Sequence, residues 1–181
     1  MIRVDIETVI MSNGPVPSVI VLRERSDQRT PEAATRVLSI QTGMFEAASI
    51  GRGAEQAGSS RPITHDLLLN VMRELGGKLE RVEIDRVDAP VFFAKLIVQV
   101  EAAVEDSTSA EAAVGSQPRE LRIDARPSDA LALAVRANAP IYVEDDVMNR
   151  AGNINVRESG DGEAELERFD QFVQTLSPDD F

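Results

Sequence analysis

The sequence predicts an α+β fold: a single domain with a mixed, mainly antiparallel sheet and packed helices. Three observations carry this. Several segments alternate apolar and charged residues with a period of two, as half-buried strands do. Two polar turns that open apolar helices, Arg61-Pro62-Ile63-Thr64-His65-Asp66 and Arg126-Pro127-Ser128-Asp129, lie between such strands. The first is followed by a hairpin, which favours antiparallel pairing over a repeated crossover. The 181 residues, 43% hydrophobic, suit one domain. With no Trp, one Tyr and six Phe, its core must be largely aliphatic.

Met1 to Met11 and Val16 to Arg23 read as strands joined by Ser12-Asn13-Gly14-Pro15, whose Asn-Gly pair signals a hairpin. A polar stretch leads to a third strand, Arg36 to Ile40, and then to a helix from Gly43 to Gln56 that Gly51 and Gly53 weaken. After the first Arg-Pro segment, Leu67, Leu68, Val71, Met72 and Leu75 form one stripe, the pattern of a core-facing helix. Gly76-Gly77 stops it, one glycine being free to take the left-handed conformation.

Val82 and Ile84 alternate with charges in the next strand. Beyond Asp88-Ala89-Pro90, Phe92, Ala94, Leu96, Val98 and Val100 share one face while Val91, Phe93 and Ile97 share the other, so this strand should be covered on both sides. Residues 103–119 lack periodicity and read as a hairpin loop. Glu120 to Ala125 is a strand, Ser128 to Ala137 an Ala-rich, closely packed helix ended by Pro140, and Ile141 to Val143 a last short strand. Residues 1–148 thus form the domain, 149–163 a linker, and 164–181 an amphipathic helix and tail with Leu166, Phe169, Phe172, Val173 and Leu176 on one side.

The two Arg-Pro segments suggest an internal duplication, although Asp66 follows its Arg by five residues and Asp129 by three. In each copy a hydroxyl, Thr64 or Ser128, is suited to cap the helix, and an Asp enters the first turn, where the helix dipole favours negative charge.

Cysteine is absent, which excludes disulfides, thiolate metal sites and cysteine nucleophiles. No signal-peptide pattern opens the chain and no apolar run is long enough to span a bilayer, so a cytoplasmic protein without a membrane partner is expected. The net charge of −12 is uneven. Residues 144–181 hold eleven acids and three Arg, leaving 20 acids and 16 bases before them, and only Lys78 and Lys95 are lysines.

The first Arg-Pro segment, the hairpin with Phe92-Phe93-Ala94, and Ile123-Asp124-Ala125-Arg126-Pro127-Ser128-Asp129-Ala130-Leu131-Ala132-Leu133-Ala134 resemble the bifunctional nuclease family, and the tail from Leu166 to Phe181, with Ser177-Pro178-Asp179-Asp180-Phe181, looks like the ending of its actinobacterial members. The resemblance runs from about Met1 to Gly152. It implies a nuclease acting on RNA and single-stranded DNA, an α+β fold, and self-association, a homodimer being favoured. One departure is that Leu38-Ser39-Ile40-Gln41-Thr42-Gly43 lacks the Pro and Trp of the family's strand there, whereas Glu46-Ala47 still fits.

A nuclease needs an activated nucleophile, charge stabilisation at phosphorus and, in most cases, carboxylate-held divalent ions. His65 is the only histidine, so any imidazole base must be this residue. The expected catalytic set is His65, Asp66 and Asp129, with Arg61 and Arg126 on phosphate and Asp66, Asp129 and Glu46 around Mg²⁺ or Mn²⁺. The bland alternative makes His65 a backbone-bonded residue at a helix start and Asp66 and Asp129 partners of Arg61 or Arg126, in a non-catalytic oligomeric binding or regulatory module. No Ser-His-Asp arrangement is recognisable in the sequence, Gly51-Arg52-Gly53 lacks the ending of a phosphate loop, and Glu144-Asp145-Asp146 reads as solvated surface.

Overall fold

The computed structural model describes residues 1–25, 35–55, 61–100 and 119–155. The described chain runs β1 (Ile2–Ile10), β2 (Ser18–Glu24), β3 (Thr35–Thr42), α1 (Met44–Ala54), α2 (Thr64–Glu74), β4 (Gly77–Asp88), β5 (Val91–Val100), β6 (Arg119–Ala125), α3 (Pro127–Ala137), β7 (Ile141–Val143), α4 (Asp145–Ala151) and β8 (Gly152–Asn155). The strands form one sheet in the order β6-β5-β4-β7-β1-β2-β3-β8. Every pairing is antiparallel except β4 with β7. That exception has a cause in connectivity: the chain returns from β6 through α3, and a helical crossover is what parallel neighbours require.

The α+β architecture is the one expected, and the main differences lie in extent. β4 begins at Gly77 and reaches Asp88, because register shifts at Leu79/Arg81 and Ile84/Arg86 hide its full length from a strict period of two. The stretch from 149, read as linker, opens with the end of α4 and with β8, which pairs with β3. Asp145 and Asp146 lie in the first turn of α4, where the helix dipole favours carboxylates. The 103–118 loop and the 164–176 helix lie outside the described residues. Among those described, no helix is long and apolar enough to cross a membrane.

The core is one aliphatic cluster between the sheet and the helices. Ala94, Leu96 and Val98 of β5, Ile20 and Leu22 of β2, and Val82 and Ile84 of β4 meet Ile50 of α1 and the run Ala130 to Ala134 of α3. On the opposite face of β5 only Ile97 is buried, Val91 being exposed and Phe93 half-buried, so the expected covering of both sides is met at that one position alone. α3 packs against α1 across Gly53, where a Cβ would stand 2.6 Å from Val135 Cγ2 and 2.7 Å from Arg136 Nη1. A residue without a side chain is what lets the two helices approach that closely.

α2 departs from expectation. It buries no residue completely, and Leu67, Leu68, Val71 and Leu75 are exposed, while Leu69 and Met72 pack on the core. The reason is the rotation of the helix: His65, Leu69 and Met72 share a stripe at i, i+4 and i+7, and polar contacts of the first turn hold that stripe inward. Gly76, at φ 74°, ends the helix in the left-handed region as expected.

Candidate active site

α2 and α3 begin without side-chain caps from Thr64 or Ser128. The cap of α2 is Ile63, with Thr64 already helical, and the cap of α3 is Arg126, with Pro127 and Ser128 inside the helix. In α3 proline takes the first helical position, which its fixed φ and missing N–H suit, and Ser128 falls two residues past the cap. In α2 the capping contact comes instead from Asp66, whose Oδ2 accepts the Ile63 N–H at 3.0 Å.

The two helix starts meet. His65 Nε2 lies 3.4 Å from Asp129 Oδ1, and His65 Nδ1 lies 2.9 Å from the Ser49 hydroxyl on α1. The imidazole is therefore held from both sides, with its side chain 16% exposed. Contrary to the sequence reading, a Ser-His-Asp line exists: Ser49, His65 and Asp129 come from three helices, and no local motif could reveal it.

Asp129 is clasped by Arg126, Nε to Oδ2 at 2.8 Å and Nη2 to Oδ1 at 3.2 Å. This is the pairing that the bland reading anticipated. Arg126 Nη1 also reaches Glu46 Oε1 at 3.4 Å. The Arg126 hydrogen bonds, with His65 adding to them, hold the Asp129 carboxyl below the usual aspartate range, so it is ionised at neutral pH. Asp66 is held low too, first by the Ile63 N–H and then by an arginine the sequence reading missed, Arg136. Arg136 Nε lies 2.7 Å from Asp66 Oδ1, and its other nitrogens donate to the carbonyls of Ala132 at 2.7 Å and Ser49 at 3.0 Å.

Two sequence signals could have pointed to these residues. Arg136 follows Asp129 by seven positions, two turns along one face of α3. Ser49 follows Glu46 by three, one turn along α1.

A cleft of about 750 Å³ opens beside this cluster, lined by Gln41, Glu46, Pro90, Phe92, Arg126 and Ser128 among others. Arg126 is well exposed there, whereas Arg61, on the surface before α2, is not part of the lining. The structure thus gathers His65, Asp129, Arg126 and Glu46, and joins Asp66 to them through Arg136 and Ser49.

The proposed metal ligands are a poorer match to a divalent ion. Asp66 faces Arg136, while Asp129 and Glu46 face Arg126. Among the described residues no three His, Cys, Asp or Glu side chains are grouped as a metal site needs. Each of these carboxylates is matched to a guanidinium group instead, so the set does not form a cage for a divalent ion.

Comparison with known proteins adds a family relationship. The bifunctional nuclease domain profile matches residues 21–155. Two proteins of Mycobacterium tuberculosis, one from the CDC 1551 / Oshkosh strain and one from the H37Rv strain, are each 33% identical over 169 residues, covering 90% of this chain and 87% of theirs. Both carry the name of an uncharacterised protein.

Proposed function

Because the chain belongs to the bifunctional nuclease domain family, we propose that it hydrolyses phosphodiester bonds of RNA or single-stranded DNA at the cleft beside His65. The observation that carries this reading is the pinned imidazole: one nitrogen on Asp129, the other on a hydroxyl, with an exposed arginine at the same carboxylate. A base needs a fixed orientation and a partner that stabilises its protonated form, and Asp129 supplies both. Arg126 keeps exposed N–H groups with which to meet a phosphate oxygen, the interaction guanidinium geometry favours. Asp66 and Arg136 hold the first turn of α2, and with it His65. Arg61 offers a second positive charge for more distant phosphates.

Cleavage of labelled single-stranded RNA and DNA by the wild type, His65→Ala and Asp129→Asn, each with Mg²⁺, Mn²⁺ or EDTA, tests this. Activity lost in both variants while they remain folded supports it; activity that survives both overturns it. The ion arms also decide whether a divalent metal takes part, which would require it to draw Asp129 or Glu46 away from Arg126.

One observation favours a second reading, a non-catalytic oligomeric module. Leu67, Leu68, Val71 and Leu75 expose an apolar stripe on α2 of the kind that copies of a chain cover by associating. Light scattering of the wild type and Leu68→Glu, together with the cleavage assay, separates the two readings: an oligomer broken by the substitution, with no cleavage by the wild type, favours the module.

A further inference from the structure

We propose that Ser49 is the nucleophile of this site, and that His65 acts on its hydroxyl rather than directly on water. The inference deepens the hydrolase reading and rests on it for the substrate class, a phosphodiester.

Proton bookkeeping among the three side chains carries the argument. Asp129 is an ionised acceptor held by Arg126, so the contact at His65 Nε2 requires a proton on that nitrogen. The neutral imidazole then has its lone pair on Nδ1. That lone pair faces Ser49 Oγ at 2.9 Å, so the serine hydroxyl donates to it. Arg136 Nη2, 3.5 Å from the same oxygen, places a positive charge where negative charge would develop as the proton leaves. The basic nitrogen of the only histidine is thus committed to a serine oxygen, the arrangement that activates a hydroxyl nucleophile. The 3.4 Å separation at Asp129 is long for a hydrogen bond, and such contacts tighten when substrate binds.

Placement agrees with this role. Glu46 and Arg126 line the cleft. Ser49 lies one helical turn beyond Glu46 on α1, and Asp129 one turn beyond Arg126 on α3. Ser49 and Asp129, which do not themselves line the cleft, thus stand one turn behind the Glu46 and Arg126 that do.

The reaction balances without an added co-reactant. Ser49 Oγ forms a bond to phosphorus as His65 Nδ1 takes the hydroxyl proton. The P–O bond to the leaving nucleoside breaks, and that oxygen receives the proton from Nδ1. Water then attacks the seryl phosphodiester, gives its proton to Nδ1, and Ser49 leaves with that proton. The products are one alcohol and one phosphate monoester.

A biotinylated fluorophosphonate, which reacts with activated serines, tests the proposal directly. Intact mass and peptide mapping should show one adduct on Ser49 in the wild type. Ser49→Ala should show none, and His65→Ala should react roughly a hundredfold more slowly or worse. No adduct on Ser49 in the folded wild type, or an unchanged rate in His65→Ala, overturns the proposal. The absence of cysteine offers a second measure, since Ser49→Cys introduces a lone thiol. Its alkylation by iodoacetamide should depend on His65, and an equal rate with His65→Ala added counts against the proposal.

RNA cleavage separates this inference from the reading beneath it. Cleavage lost in His65→Ala but retained in Ser49→Ala overturns the nucleophile and leaves hydrolysis standing. An adduct on Ser49 without cleavage of RNA or DNA sustains the nucleophile and overturns the nucleic-acid substrate.

Discussion

Arg136 and Asp66 join the last turn of α3 to the first turn of α2 through a contact of 2.7 Å, and the arginine side chain is only 8% exposed. This pair sets how α2 lies on the domain, since α2 has few core contacts of its own. Replacing Arg136 by Met removes four hydrogen bonds, to Asp66, the Ala132 carbonyl and the carbonyl and hydroxyl of Ser49, and leaves Asp66 without its counter-charge. The expected loss is about 1 to 3 kcal/mol, below the scale for a fully buried pair because the Asp66 side chain is 35% exposed and water takes over part of its solvation. Urea unfolding measures it, and a change under about 0.5 kcal/mol, ordinary for a surface substitution, would show that α2 is held by something else.

The acid limb of stability should reflect Asp129 and Asp66. Both carboxyls are held below their ordinary values in the folded protein, Asp129 chiefly by Arg126 and Asp66 chiefly by the Ile63 N–H. A lowered folded-state value means that the stabilisation is complete above the unfolded value of about 4 and is lost as pH falls through the folded one. Asp129→Asn should therefore be less stable than wild type at pH 7, with the gap narrowing below about pH 4. Glu24, held low by Arg36, contributes to both proteins and cancels in the difference. Urea unfolding of the pair between neutral and strongly acidic pH checks this; a gap that stays constant with pH would contradict it.

Close passage of Arg136 depends on Gly53. A methyl group at that position would stand 2.6 Å from Val135 Cγ2 and 2.7 Å from Arg136 Nη1, closer than carbon tolerates. Gly53→Ala should cost about 1 to 3 kcal/mol, as overpacking does, despite the higher helix propensity of Ala. Gly51, where a Cβ meets nothing within 4 Å, is the control: Gly51→Ala should be neutral or stabilising. Thermal unfolding of both variants tests the contrast.

What the sequence made legible follows from how local each signal is. Strand periodicity, the Arg-Pro helix starts and Gly76 as a stop depend on neighbours within a few residues, and all appear in the structure. The rotation of α2 does not. Its apolar residues outnumber those that face inward, so a stripe count pointed Leu67, Leu68, Val71 and Leu75 at the core. In fact the contacts of His65 and Asp66 with other helices decide the rotation. The Ser49-His65-Asp129 line was hidden for a related reason, because it joins residues 16 and 64 positions apart across three helices.

The exposed face of α2 yields its own prediction. Leu75 is 75% exposed, so Leu75→Gln should change the stability of an isolated chain by under about 0.5 kcal/mol. Met72, packed on the core one turn away, should lose roughly 2 kcal/mol as Met72→Ala. Concentration-dependent melting of Leu75→Gln distinguishes a surface that is merely tolerated from one that copies cover. A destabilisation seen only at high protein concentration would identify the stripe as a contact between copies.

The final prediction concerns the imidazole itself, and it needs no assay of activity. Because the chain has one histidine, ¹⁵N long-range correlation spectra contain a single ring system. At a pH where the ring is neutral, the proton should reside on Nε2, facing Asp129, with Nδ1 as the acceptor of the Ser49 hydroxyl. Asp129→Asn turns the partner at Nε2 into a group that can also donate, which relaxes the preference, whereas Ser49→Ala removes the donor at Nδ1 but leaves the carboxylate in place. The Nε2–H form should therefore persist in Ser49→Ala and become mixed in Asp129→Asn. A neutral ring protonated on Nδ1 in the wild type would place the lone pair towards Asp129. Two acceptors would then face each other, and the roles assigned to both Asp129 and Ser49 would fail together.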